Sequence, residues 1–162
     1  MVSVAKELIE EMPNLKLMFI GDGGDKKTVQ EQIAEENLQE RVIFTGFRQD
    51  VNACMKAVDA VVHPSLSEAF CQVLIETMSV GTPIVSTDVG GAKEVITDGK
   101  NGFIIPPANV EAIKKAVRNL FQNPEAKKKM ALAGQQSVRE TFTVEKMIDK
   151  QIAVYERLFK EK

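Results

Sequence analysis

Apolar residues recur along the chain with two different spacings, and these predict a series of strands and helices. Short apolar runs predict strands near 15–20, 41–45, 60–62, 83–86 and 102–105. Stretches with apolar residues three and four positions apart predict helices near 2–12, 25–37, 50–57, 69–80, 92–96, 109–122, 124–138 and 144–160. Because strands and helices alternate, we predict an α/β fold. Its doubly wound parallel (Rossmann-like) sheet has helices on both faces and a helical C-terminus.

Composition and charge describe one globular domain and exclude several classes of protein. The 162 residues, 44% hydrophobic and 27% charged, suit a single domain over 1–162. A net charge of −2 gives no electrostatic case for nucleic acid as a partner. Cys54, Cys71 and the single His63 form neither a disulfide framework nor a zinc pattern. With no signal peptide and no membrane-spanning run, we expect a cytoplasmic protein. Because the sequence has no zinc pattern, we expect no bound metal, and we expect no cofactor.

The stretch 60–76 is the most informative part of the chain, since it predicts a strand, a polar loop and a helix. Pro64 ends the strand, and helical periodicity starts near Ala69 with Phe70 on the same face as the later apolar residues. That helix is apolar nearly all round, so Glu76 is expected to be buried and to need hydrogen-bond donors. Such donors could come from loop amides or from a ligand diol. Glu68 could cap the helix or point into a cleft.

Four predicted loops each follow a strand, at 21–25, 46–49, 63–69 and 87–91. The carboxyl ends of parallel strands meet at one edge of a sheet, where ligands of such folds bind. We therefore expect the four loops to form one binding cleft. The glycine-rich turn that begins at Gly21 suits either a bound phosphate or a tight strand-to-helix turn.

Two glutamates and their neighbours resemble a known motif. Glu68 and Glu76 are preceded by His63-Pro64-Ser65 and followed by Gly81-Thr82-Pro83 and by Asp88-Val89-Gly90-Gly91. This combination resembles the donor-sugar motif of retaining, double-Rossmann (GT-B type) glycosyltransferases, the group 1 glycosyl transferases. The resemblance extends from about Lys6 to the last helix. It implies the C-terminal, nucleotide-sugar-binding domain of such an enzyme, without the acceptor-binding N-terminal domain.

The resemblance also implies roles for individual residues around a UDP- or GDP-sugar. Glu68 would contact hydroxyls of the transferred sugar as the catalytic candidate, and Glu76 would hold the ribose hydroxyls. Backbone amides of Ala69, Phe70 and Cys71 would face the diphosphate. Close backbone approach and the base would involve Gly21, Gly23, Gly46, Phe47, Gly90 and Gly91. From the residues alone, a cap role for Glu68 and a core position for Phe47 stay open.

The main departure from the family lies at the start of the chain. In the family, this domain begins with a strand and a loop whose Arg and Lys clamp the diphosphate. A first strand is central in a sheet of order 3-2-1-4-5-6, so without it two neighbouring strands would have unpaired backbone. We expect repacking, a gap filled by a partner chain or a second copy in a homo-oligomer, or a fragment of a longer enzyme.

We therefore predict a donor-binding domain for retaining hexosyl transfer that is inactive alone. One alternative is a non-catalytic nucleotide-binding or assembly subunit of a split transferase. Another is a related double-Rossmann epimerase, which would need acid and base groups from both domains.

Overall fold

In the computed structural model, which describes residues 1–160, strands and helices alternate as the hydrophobic pattern predicts. The strands are β1 (Leu17–Ile20), β2 (Val42–Gly46), β3 (Val61–His63), β4 (Ile84–Thr87) and β5 (Phe103–Ile105). The helices are α1 (Val2–Glu11), α2 (Lys26–Glu35), α3 (Val51–Ala57), α4 (Gln72–Ser79), α5 (Ala92–Val95), α6 (Val110–Gln122), α7 (Pro124–Thr141) and α8 (Val144–Lys160). A short 3-10 helix, Gln39–Arg41, leads into β2. The predicted α/β fold class is confirmed.

The strands are parallel but fall into two separate sheets. β1 pairs with β2, and β3, β4 and β5 form a second sheet in that order. Among residues 1–160, therefore, β1 and β3 each have one edge without a neighbouring strand. We call the gap between the two sheets the break. It lies between β1 and β3, the two strands that would flank the central first strand of the predicted order.

Helix α1 packs against both parts of the molecule and bridges the break. Its residues Val2 and Ala5 lie in a cluster with Ile33 of α2. Val4 and Leu8 lie in another cluster, with residues of α6 and of the three-stranded sheet. Because successive residues of a helix point in different directions, one short helix can serve both clusters.

β4 is the most deeply buried strand, since all four of its residues are buried. Val85 packs in the cluster that includes α1 and α6, whereas Ile84 packs with Leu74 and Met78 of α4. The alternation of side chains along a strand gives β4 one apolar neighbour layer on each face. These contacts fix the carboxyl end of β4, where the loop 88–91 begins.

The last helix, α8, has no buried residue. Its exposed apolar side chains are Val144, Met147, Ile148, Ile152, Val154, Tyr155, Leu158 and Phe159. Over residues 1–160, none of the helices is both long enough and apolar enough to cross a bilayer.

Candidate functional site

The four loops expected to form one cleft lie in two groups, one on each side of the break. In the first group, the Gly21 N–H donates a hydrogen bond to the Gly46 carbonyl oxygen at 3.0 Å, which joins the loops after β1 and β2. In the second group, the Gly91 N–H donates to the Ala69 carbonyl oxygen at 3.0 Å, which joins the loops after β3 and β4. No hydrogen bond or ion pair among residues 1–160 joins the two groups.

The first group presents an aromatic ring and a cation next to glycine backbone. Phe47 is 77% exposed, so it is not a core residue. Gly46 has a φ of +64°, in the left-handed region that favours glycine. The Lys26 ammonium lies 3.4 Å from the Asp22 carboxylate and beside Gly46. Lys26 is a possible anion contact that the sequence pattern did not single out, since it follows the turn as the first residue of α2.

Gly23, the other glycine expected to approach the ligand in this group, lies in the turn between β1 and α2. Its N–H donates a hydrogen bond to the Asp22 carboxylate at 3.1 Å. The turn is open, with nothing within 4 Å of a Cβ built at Gly23. Its backbone is therefore accessible on the carboxyl side of β1.

The second group positions Glu68. Its Oε1 accepts a hydrogen bond from the Ser65 hydroxyl at 2.8 Å and lies 3.2 Å from Nε2 of His63. Nε2 of His63 is buried and has no partner of hydrogen-bond geometry within the described chain. Within residues 1–160 the Glu68 carboxylate accepts no hydrogen bond from an amide of α4, and the N-cap residue Cys71 makes no side-chain cap either, so Glu68 is not a helix cap. Because 32% of its side chain is exposed, the Glu68 carboxylate can accept further hydrogen bonds from the solvent side of the loop.

One hydroxyl hydrogen bond and close packing at two glycines hold the Glu68 loop in place. The Thr87 hydroxyl donates to the Ser65 carbonyl oxygen at 2.6 Å. Gly90 has a φ of +52°, and a Cβ built there would lie 2.4 Å from the Glu68 carbonyl oxygen. At Gly91 the Cβ would lie 3.0 Å from the Phe70 ring. These glycines therefore allow the loop after β4 to pack directly on the loop that carries Glu68.

The start of α4 differs from the prediction. The helix begins at Gln72 because Cys71 has left-handed backbone, with a φ of +64°. The hydrogen bond from Gly91 to the Ala69 carbonyl also holds the preceding residues outside the helix. Phe70 consequently lies in the loop and is 41% exposed, not on a buried helix face. Hydrophobic periodicity gives no signal for such a backbone reversal.

The predicted burial of Glu76 is wrong. Glu76 is exposed, because α4 turns Leu74, Thr77 and Met78 toward the core and carries Glu76 on the opposite side. Apolar residues on the other faces of this helix are only half-buried. Glu76 thus needs no internal donor, and it has no ion pair within residues 1–160.

One grouping of side chains could hold a metal ion. Donor atoms of His63, Glu68 and Cys71 lie within 4.8 Å of one another. Nitrogen, oxygen and sulfur are each donor types that zinc binds. Burial raises the pKa of the Cys71 thiol, and the Glu68 carboxylate raises it further, so the sulfur is protonated at neutral pH. Linear spacing did not predict this grouping, because it depends on the left-handed turn at Cys71.

Comparison with known proteins identifies the class to which this site belongs. The sequence pattern of the family described as glycosyl transferases group 1 matches residues 1–137. The chain therefore belongs to the group 1 glycosyl transferases, as the motif around Glu68 and Glu76 predicted.

Individual relatives agree with this assignment. The 2-deoxystreptamine N-acetyl-D-glucosaminyltransferase of Niallia circulans is 31% identical over 143 residues, which cover 87% of this chain and 37% of the relative. HepE of Anabaena, solved in complex with UDP-glucose, is 29% identical with a TM-score of 0.85; the match covers 96% of this chain and 44% of HepE. The chain thus spans less than half the length of these relatives.

A third match concerns the fold alone. The C-terminal domain of a group 1 family glycosyl transferase (LpcC) from Francisella tularensis is 22% identical with a TM-score of 0.79, over 88% of this chain and 77% of that domain. The fold described above is therefore the fold of a C-terminal domain in a GT-B glycosyltransferase.

Proposed function

We propose that this chain binds the UDP-sugar donor of a retaining hexosyltransferase and supplies the donor half of its active site. Support comes from HepE, which is similar over 96% of this chain and was solved with UDP-glucose. UDP-glucose in that relative favours a UDP-sugar over the GDP-sugar that the sequence also allowed. We further propose that residues 1–162 act as one donor-binding domain of a longer transferase, whose other domain binds the acceptor.

The observation that carries this proposal is the fixed position of Glu68 at the carboxyl edge of β3. The Ser65 hydroxyl and the close packing against Gly90 hold its carboxylate, while about a third of the side chain is open to solvent. A carboxylate held this way can accept hydrogen bonds from adjacent sugar hydroxyls without further rearrangement. In the proposal, Glu68 acts on the transferred sugar and the exposed Glu76 binds the ribose.

The other proposed contacts with the donor are divided between the two loop groups. Phe47 offers an exposed ring for the uracil base, and Gly46 leaves the backbone beside it open. The backbone of Ala69, Phe70 and Cys71 precedes α4, where the diphosphate would lie. Because the two groups sit on opposite sides of the break, we propose that the chain alone has an incomplete site and no turnover.

Calorimetric titration with UDP and UDP-glucose tests donor binding. We expect binding by the parent chain and a loss of at least about tenfold in affinity for Glu76→Ala, the cost of one charge-assisted hydrogen bond. Glu35→Ala is the matched control, since Glu35 is an exposed glutamate at the end of another helix, α2. Equal affinities of all three proteins would contradict the role of Glu76. Product formed from a labelled donor by this chain alone would contradict the incomplete site.

A further inference from the structure

The side chains of His63, Glu68 and Cys71 converge at the carboxyl end of β3, and one of their donor atoms has no hydrogen-bond partner. Nε2 of His63 is buried and unpaired within residues 1–160. Oε1 of Glu68 lies 3.2 Å from it, but this oxygen already accepts a hydrogen bond from the Ser65 hydroxyl. A buried nitrogen that is left unpaired costs free energy, so its position beside a carboxylate and a thiol points to a bound ligand.

The distances between the donor atoms suit a tetrahedral ion. Zinc bonds of about 2.0–2.2 Å to nitrogen and oxygen and about 2.3 Å to sulfur place tetrahedral donor atoms roughly 3.3–3.6 Å apart. Nε2 of His63 and Oε1 of Glu68 are already 3.2 Å apart, and donor atoms of all three residues lie within 4.8 Å of one another. The Cys71 sulfur therefore has to approach by at most about 1.2 Å, which is within the reach of side-chain rotation.

The charges of the three ligands balance the charge of Zn²⁺. When zinc binds, a zinc–sulfur bond replaces the S–H bond of Cys71, and the proton passes to solvent. The thiolate and the Glu68 carboxylate then neutralise the ion, while His63 binds as a neutral imidazole. Neutrality matters because Cys71 is only 5% exposed and buried net charge is costly. Mg²⁺ is unsuitable, since it needs an octahedral set of oxygens and the cluster has only one carboxylate.

Contacts around the cluster hold its ligands in place before an ion binds. The Ser65 hydroxyl donates to the Glu68 carboxylate at 2.8 Å, and the Cys71 sulfur lies 3.8 Å from the Val89 carbonyl oxygen. Outer contacts of this kind orient the ligands of metal sites. Because 32% of the Glu68 side chain is exposed, an ion can reach the cluster from solvent, and water can fill the fourth position.

We propose that His63, Glu68 and Cys71 form a zinc site and that zinc bound there inhibits binding of the donor sugar. The ion and the sugar need the same carboxylate, since Glu68 is the proposed contact of the transferred sugar. The inhibition therefore rests on the proposed function, whereas the metal site rests on the three side chains alone. UDP lacks the transferred sugar, and a cation does not repel a diphosphate. Zinc should thus weaken the binding of UDP-glucose but not that of UDP.

Titration of the full chain with Co²⁺ tests the metal site, because Co²⁺ can replace zinc and absorbs visible light. We expect one equivalent to give the spectrum of a tetrahedral site with a thiolate-to-cobalt band, and Zn²⁺ to abolish it. Cys71→Ser should remove the thiolate band and weaken zinc binding at least about tenfold. Cys54→Ser is the matched control, since Cys54 is the only other cysteine and lies outside the cluster.

His63→Gln provides a second variant in case Cys71→Ser does not fold. It removes the unpaired nitrogen and should also weaken zinc binding at least about tenfold, measured by competition with a chromophoric chelator. A parent chain without a thiolate band would overturn the metal site. So would an equal band in Cys71→Ser, or a zinc affinity that His63→Gln leaves unchanged.

Calorimetric titration with UDP-glucose and with UDP, each with and without saturating Zn²⁺, tests the inhibition. We expect zinc to weaken UDP-glucose binding at least about tenfold and to leave UDP binding unchanged. Cys54→Ser should retain this effect and Cys71→Ser should lose it, whatever its own donor affinity. Zinc bound to the nucleotide in solution would act on both variants equally.

Equal affinity for UDP-glucose with and without zinc would overturn the inhibition, as would equal weakening of both ligands. If neither ligand binds in the absence of zinc, the proposed function fails and the inhibition fails with it. The cobalt spectrum decides the metal site independently of either result.

Discussion

Replacing Gly90 with alanine tests whether close backbone packing fixes the position of Glu68. A Cβ at this position would lie 2.4 Å from the Glu68 carbonyl oxygen and 2.6 Å from the Ala69 carbonyl oxygen. Real Cβ atoms essentially never come so close to another heavy atom, and backbone cannot rotate away as a side chain can. The loop that carries Glu68 must therefore move if the variant is to fold.

The expected cost has two parts. Left-handed backbone at an alanine costs about 1–2 kcal/mol, and Gly90 has a φ of +52°. Displacement of packed groups adds about 1–3 kcal/mol. The free energy of unfolding should thus fall by roughly 2–5 kcal/mol. In a domain of this size each kcal/mol lowers Tm by about 2–4 °C, so a fall of roughly 4–20 °C is expected.

Gly99→Ala is the control that separates the two parts. Gly99 has a φ of +71°, but a Cβ there would meet nothing within 4 Å. Gly99→Ala should therefore lower the free energy of unfolding only by the cost of left-handed backbone at an alanine, about 1–2 kcal/mol. Urea unfolding followed by circular dichroism measures both variants, and titration with UDP-glucose measures donor affinity. If the two variants lose equal stability and bind donor equally, the packing of the Gly90 loop on the Glu68 loop does not position Glu68.

Three smaller predictions concern other contacts. Thr87→Val removes the 2.6 Å hydrogen bond to the Ser65 carbonyl and should lower the free energy of unfolding by about 1 kcal/mol, measured in urea; an unchanged midpoint would contradict it. Phe47→Ala should leave stability unchanged within about 0.5 kcal/mol, yet weaken UDP binding several-fold; equal affinity would exclude the ring as a base platform. A hydrogen bond from Arg118 lowers the pKa of Glu11, so its stabilising effect is present above pH 4.5 and is lost as the pH falls further; Glu11→Gln should flatten this acid decline in Tm.

The sequence predicts most of this fold because the signals for its elements are local. Apolar runs and helical periodicity locate the strands and helices, and short strands between helices indicate a parallel sheet. The order of such sheets also predicts where a break would occur, and the unpaired edges of β1 and β3 lie there. Prediction succeeds here because most elements bury apolar side chains in a regular way, and α8, which buries none, still has helical periodicity.

The details of the site could not be predicted to the same extent. Cys71 has left-handed backbone, which depends on contacts with the loop after β4 and leaves no trace in local periodicity. The exposure of Glu76 follows from the direction in which α4 faces the core, and a helix rich in apolar residues conceals that direction. The Thr87 hydroxyl acts through a tertiary contact with the Ser65 carbonyl, which a single sequence does not reveal. The Ser65 hydroxyl contacts Glu68 within the same loop, and loop conformation of this kind leaves no periodic signal.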